Sequence, residues 1–377
     1  MRAPGVRGEG AGRSLGRWPR SGERDVRLAL ELASHSTWAQ VPAGERVERL
    51  LAAAGSLAAG GDSDGPVALG LGLTTDELAL HRSGLEAGLT AAIREGAQRG
   101  GERRGPCLLR PHWSLLWAGL GELLLRELAA GRPVLLLPDG GAPALVDQLV
   151  KALDRADLPP GALAVLHDDG RTALRCAVDA GGAEELLVSC ATEELDELRR
   201  WLRARSPQGD LPFGTGVCEP AAAPELVHHD LGVRTARVSA GEDVEEVARR
   251  LALAALGRGE TLSGQLPGHV RRIECDERCF SAFTAALLGQ LEEAPELRPP
   301  VPQREPRLAR ELDQIRELGL ADGATLIHEE GRRGSPRTSR NTTIGPLVFT
   351  NVLPGMRIAG LTRPAPVLLL QRLAAGE

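Results

Sequence analysis

The sequence predicts an α/β protein: a parallel sheet covered by helices on both faces, followed by a second α/β domain. Three observations carry this. Between Cys107 and Ala204, short apolar runs alternate with stretches of helical period. Runs such as Pro133-Val134-Leu135-Leu136-Leu137 and Leu186-Leu187-Val188 are continuously apolar rather than alternating, which is the pattern of strands buried on both faces. The same rhythm resumes after Arg234, with a helix over Val244–Leu256, a strand over Val270–Cys275 and a helix over Phe280–Leu291. The 377 residues, 42% hydrophobic and 25% charged, are enough for two domains with sizeable cores.

In chain order, the first 25 residues are rich in Gly, Arg and Pro and hold no apolar run, so they are expected to be a disordered leader and not a secretory signal. Val26, Leu28, Leu30 and Ala33, then Val47, Leu50, Leu51 and Leu57, place helical faces either side of Trp38, with a break at Gly60–Gly65. Thr74, three residues before Glu77, marks a capped helix start, and that helix is expected to run to about Glu95. Cys107-Leu108-Leu109 is a strand, Leu115–Ala129 a helix, Pro133–Leu137 a strand and Pro138–Gly141 a turn. Ala144–Arg155 is a helix, Leu163–Leu166 a strand, Arg171–Ala180 a helix, Glu185–Ser189 a strand and Glu193–Ala204 a helix. Towards the end come a Pro-rich connector (Pro295–Glu305), a helix over Leu308–Leu318 and a strand over Ala324–His328. A polar loop (Glu329–Thr343) and the apolar runs Leu347–Phe349 and Pro366–Leu370 complete the chain.

Composition excludes several function classes. Net charge is −6 and basic residues are interleaved with acids, so nothing suggests a nucleic-acid footprint. Lys151 is the sole lysine, and the chain has no tyrosine. No apolar stretch reaches membrane-spanning length, so no membrane partner is expected. Six scattered cysteines (Cys107, Cys176, Cys190, Cys218, Cys275, Cys279) argue against a disulfide framework and for a reducing, cytoplasmic setting. Cys275 and Cys279 stand one helical turn apart, but two thiols without further ligands make a poor metal site; two small side chains near a strand end is the simpler reading.

Five short motifs then occur in order. They are Trp38 with Gly44-Glu45-Arg46; Ala129-Ala130-Gly131-Arg132-Pro133 running into Pro138; Leu158-Pro159-Pro160-Gly161-Ala162-Leu163; Gly264-Gln265; and Ile344-Gly345-Pro346. Together they resemble the aldehyde dehydrogenase superfamily from about Asp25 to Val352. The resemblance implies a Rossmann-type nucleotide-binding-like domain over 26–234 and a catalytic-like α/β domain over 235–350. A residual C-terminal segment over 351–377 stands where the family continues further, so the fold is expected to be C-terminally truncated. It also implies homo- or hetero-oligomers and, in an active member, NAD or NADP.

The family's chemistry needs a thiolate to attack the aldehyde, an oxyanion hole with an Asn amide, and a Glu to activate water. By the resemblance, this chain departs at each place. The nucleophile position is Pro267, which has neither thiol nor backbone N–H. The oxyanion Asn falls on Ser114. The general base falls on Cys218 by gapless counting to Pro224, or on Glu219 with a one-residue slip. The cofactor Lys falls on Leu137, the Phe-Thr-Gly-Ser glycine on Cys190, and the Glu of Glu-x-Phe-Gly-Pro on Thr342. Asp168 and Asp169 stand where glycines are usual, and their charge opposes a dinucleotide's phosphates.

His228-His229-Asp230 is the one compact catalytic-looking cluster, but no Gly-x-Ser-x-Gly elbow supplies a nucleophile, and a solvated strand end is the simpler reading. Three functions stay open: an inactive relative acting through binding or assembly with no cofactor, an NAD(P)-dependent aldehyde oxidoreductase with a displaced site, and another reaction on the same scaffold using Cys218. No metal site is expected.

Overall fold

Val134-Leu135-Leu136 becomes an inner strand for a physical reason: each of its side chains is fully buried, and a strand apolar on both faces can only sit inside a covered sheet. The computed structural model describes residues 20–61, 64–71, 75–99, 105–138, 143–167, 172–204, 224–257, 261–262, 264–293, 305–329 and 346–374. They form two compact units. One takes in 20–67 and 82–230, the other 68–81 and 231–374.

The first unit starts with helices α1 (Glu23–Ser34), α2 (Ala43–Ala59), α3 (Asp64–Leu71), α4 (Thr75–Arg82) and α5 (Leu85–Gln98), of which α3 and α4 straddle the division between units. Then strands β1 (Cys107–Arg110), β2 (Val134–Leu136), β3 (Leu163–Val165), β4 (Glu185–Cys190) and β5 (Glu225–Asp230) alternate with α6 (Leu116–Ala129), α7 (Pro143–Leu153), α8 (Thr172–Ala180) and α9 (Thr192–Arg203). All five strands are parallel, in the order β3-β2-β1-β4-β5. Leu108, Leu135, Leu186 and Val188 share one core with α1, α8 and α9. Their neighbours Leu109, Leu136 and Leu187 point to the other face, the face of α6.

The second unit holds β6 (Arg234–Val238), α10 (Val244–Leu256), β7 (Val270–Asp276), α11 (Glu277–Glu293), α12 (Glu305–Ala321), β8 (Thr325–Glu329), β9 (Leu347–Thr350) and β10 (Val367–Leu373). Its sheet runs β6-β7-β10-β9-β8, parallel except for the antiparallel β8 at one edge. Val348, Leu368 and Leu370 pack on α10 and α11; Phe349, Val367 and Leu369 pack on the α12 side. No helix among the described residues is long and apolar enough to cross a membrane.

Several expectations need correction. The stretch from Thr75 to Gln98 is two helices, interrupted at Ser83-Gly84, not one. Residues 64–71 are helical although Asp64 and Gly65 were expected to belong to the break. The strands β5 and β6 were not anticipated: both lie at sheet edges, where a half-exposed strand carries polar residues and mimics a loop. Val367–Leu373 is no residual segment: it lies between β7 and β9 in the second sheet. Asp230, not Arg234, ends the first unit, and 68–81 joins the second. Glu23–Asp25 already belong to α1, where the Asp25 carboxylate accepts from Gly22 N at 2.8 Å; the rest of the expected leader falls mostly outside the described residues, as do the Pro-rich connector and the Glu329–Thr343 loop.

Candidate functional site

In an open parallel sheet, ligands sit beyond the carboxyl ends of the strands where the order reverses, here between β1 and β4. Arg110 ends β1 and Glu194 lies in the first turn of α9, just after β4. Arg110 Nη1 donates to Glu194 Oε1 at 2.7 Å, both side chains being about one-fifth to one-quarter exposed. A charge-assisted bond therefore spans this end of the sheet, and the Glu194 carboxylate already answers the positive end of α9. In the turn after β1, Ser114 N donates to His112 Nδ1 at 3.2 Å, so that nitrogen is unprotonated. The Ser114 Oγ contact to the same nitrogen, at 2.6 Å, must then carry the hydroxyl proton. Leu137 and Cys190, 3% and 1% exposed, both point into the core beneath α1, α8 and α9. His228 Nε2 lies 3.0 Å from the Cys190 carbonyl oxygen.

In the second unit, the turn before β7 is built by hydrogen bonds of its own. Thr261 Oγ1 donates to Gly257 O at 2.8 Å and accepts from Gly264 N at 3.0 Å; Gln265 Nε2 donates to Leu262 O at 2.9 Å. Gly264 has φ +77°, and a Cβ there would meet the carbonyl oxygens of Ala255 and Ala365 at 3.0 Å. Pro267 follows, half-buried, then His269 and Arg271, both buried. His269 Nδ1 lies 2.5 Å from Leu266 O, and Arg271 Nη2 lies 3.4 Å from His269 Nε2 and donates to Ala365 O at 3.1 Å. Burial, then the Arg271 charge, push the His269 pKa down to about 3 against the opposing Leu266 bond. The imidazole is thus neutral, with one nitrogen donating to Leu266 O and the other facing a guanidinium. It locks the turn and has no nitrogen left to act as a base.

No family model matches the chain. In sequence it is 29% identical over 244 residues to an alpha-ketoglutarate semialdehyde dehydrogenase of Haloferax volcanii, covering 63% of this chain and 45% of that one. It is 26% identical over 268 residues to malonate-semialdehyde dehydrogenase 3 of Geobacillus kaustophilus, covering 65% and 47%. The chain spans about half the length of the curated relatives it matches. In structure it resembles a salicylaldehyde dehydrogenase of Pseudomonas putida G7 (TM-score 0.76, 14% identity, 100% of this chain and 78% of that one). It is as similar to an NAD-dependent aldehyde dehydrogenase of Sinorhizobium meliloti (TM-score 0.76, 17% identity, 100% and 75%). The chain is thus similar in sequence to semialdehyde dehydrogenases and shares the fold of aldehyde dehydrogenases.

Two of the motifs that resemble aldehyde dehydrogenases meet at one place, the end of α6. Trp38 Nε1 donates to Leu128 O at 2.7 Å, and Arg46 Nε donates to Ala129 O at 3.0 Å. The helix closes with Gly131 N on Leu128 O at 2.9 Å and Arg132 N on Glu127 O at 3.1 Å, a Schellman pair that needs the left-handed Gly131, φ +86°. These anchors satisfy carbonyls that α6 leaves over; none is a chemical group of a site.

Of the positions that the resemblance assigns to a site, Ser114, Leu137 and Cys190 belong to the first unit and Pro267 to the second. Cys218, Glu219, Asp168, Asp169 and Thr342 lie outside the described residues. Among the described residues, Cys107, Glu127 and Glu185 bring three potential metal-ligating atoms within 4.8 Å of one another. Arg132 Nη1 already donates to both carboxylates, at 2.8 and 3.1 Å, and burial raises the Cys107 thiol pKa. The cluster is a buried ion network, and a cation there would have to expel the guanidinium. Sequence reasoning missed the Arg110–Glu194 bridge, the His112–Ser114 contact and the His269–Arg271 pair. The only signals were His112 two residues before Ser114, and His269 and Arg271 on either side of Val270.

Proposed function

We propose that this chain is a catalytically silent relative of the aldehyde dehydrogenases, cytoplasmic, and acting through binding or assembly with copies of itself or other chains. The observation that carries the reading is Pro267 at the nucleophile position, two residues beyond Gly264-Gln265. A carbon ring there cannot form the thiohemiacetal on which the family's oxidation depends. The residues at the carboxyl ends of β2 and β4 also fit a dinucleotide poorly. Leu137 offers no hydrogen bond, Cys190 is turned into the core, and Glu194 puts a carboxylate where a phosphate would lie.

The test is calorimetric titration with NAD and with NADP. The proposal expects no heat of binding at micromolar dinucleotide. Saturable micromolar binding of either would mean that the crevice still works as a cofactor site, and the proposal would fall.

A further inference from the structure

Strand β7 passes into helix α11 without a loop: Asp276 ends one and Glu277 begins the other. Cys275 is the penultimate residue of the strand and Cys279 the third of a 17-residue helix. Their Sγ atoms are 3.6 Å apart, and both lie near the same carbonyl oxygen, Asp276 O, at 3.6 and 3.4 Å. The two thiols differ in setting. Cys275 is fully buried, and burial together with the neighbouring thiol pushes its pKa up to about 12. Cys279 is 8% exposed and sits in the first turn of the helix. Asp276 holds the junction rigid by accepting from Arg278 N at 2.9 Å and Arg278 Nη2 at 2.7 Å.

We propose that Cys279 and Cys275 form a modification site for peroxides, with Cys279 the attacking sulfur and Cys275 the resolving one. The Cys279 thiolate attacks one peroxide oxygen; the O–O bond breaks, hydroxide leaves, and Cys279 becomes a sulfenic acid. The Cys275 sulfur then attacks the Cys279 sulfur, the S–O bond breaks, and the oxygen leaves as water with the Cys275 proton. Two thiols and one hydrogen peroxide become one disulfide and two waters; sulfur is oxidised and peroxide oxygen reduced. The sulfurs need only close from contact to bonding distance, which side-chain rotation of neighbours four residues apart supplies.

The arginines around the pair make it readable. Trypsin cuts after Arg272 and Arg278, so the two cysteines leave in different peptides. The reduced native protein is treated with hydrogen peroxide, alkylated in denaturant and digested. The proposal expects the 273–278 peptide joined to the peptide beginning at Cys279, two hydrogens lighter than their sum, and separated again by dithiothreitol. In Cys275→Ser, dimedone should trap a sulfenic acid at Cys279 and the joined peptides should be lost. Both cysteines found alkylated at peroxide levels that oxidise the half-exposed Cys176 would overturn it. So would Cys279 proceeding to sulfinic acid with Cys275 still a thiol.

Discussion

We propose that the proline at position 267 stands in place of a nucleophile, and it removes a backbone donor as well. Ser114, the position that the resemblance assigns to the oxyanion donor, holds its hydroxyl against His112 Nδ1. Groups that act as a unit fail together, and Pro267→Cys is therefore expected to gain no cofactor-dependent aldehyde oxidation. His269 gives a separate prediction. Its folded pKa, about 3, lies below the ordinary histidine value of about 6.5, so its contribution to stability is complete above the unfolded pKa and is lost as pH falls towards the folded one. Between about pH 7 and pH 5 the loss should be about 2 kcal/mol, from protons that only the unfolded chain takes up. Denaturant titrations at the two pH values should show the drop, and His269→Gln should flatten it. An equal drop in the variant would assign the pH dependence to other groups.

Among elements, α6 shows what the motifs that resemble the family's do for the fold. Its last carbonyls are answered by Trp38, Arg46 and the Gly131 turn, and all three are set by structure alone. Gly131→Ala should lower the melting temperature by the equivalent of about 1–2 kcal/mol. A Cβ there is strained by φ +86° and meets the Arg46 guanidinium carbon at 3.0 Å. An unchanged melting temperature would mean that this helix end contributes nothing. The inner strands β1, β2 and β4 were legible because burial on both faces writes an unbroken apolar run. β5 and β6 were not, because an edge strand pairs on one side only and tolerates His228, His229 and Arg237. The second sheet's use of Val367–Leu373 was likewise invisible, since an apolar run does not say which strand it pairs with.

At the scale of the whole chain, both sheets and their helical layers follow from periodicity, and the likeness to aldehyde dehydrogenases extends through both units. Candidate site positions could be counted along the sequence because motifs that resemble the family's bracket them. Their new partners could not: the bridge of Arg110 to Glu194 joins residues 84 apart, and nothing in the spacing announces it. We propose a scaffold kept and a chemistry lost. The most direct measurement is aldehyde-dependent formation of NADH or NADPH, followed by absorbance across short aliphatic, aromatic and semialdehyde substrates, with Pro267→Cys alongside the parent. The account predicts no rate above the no-enzyme control for either protein. Robust turnover by the parent, abolished by replacing a single cysteine, would contradict it and would place an active site elsewhere on the chain.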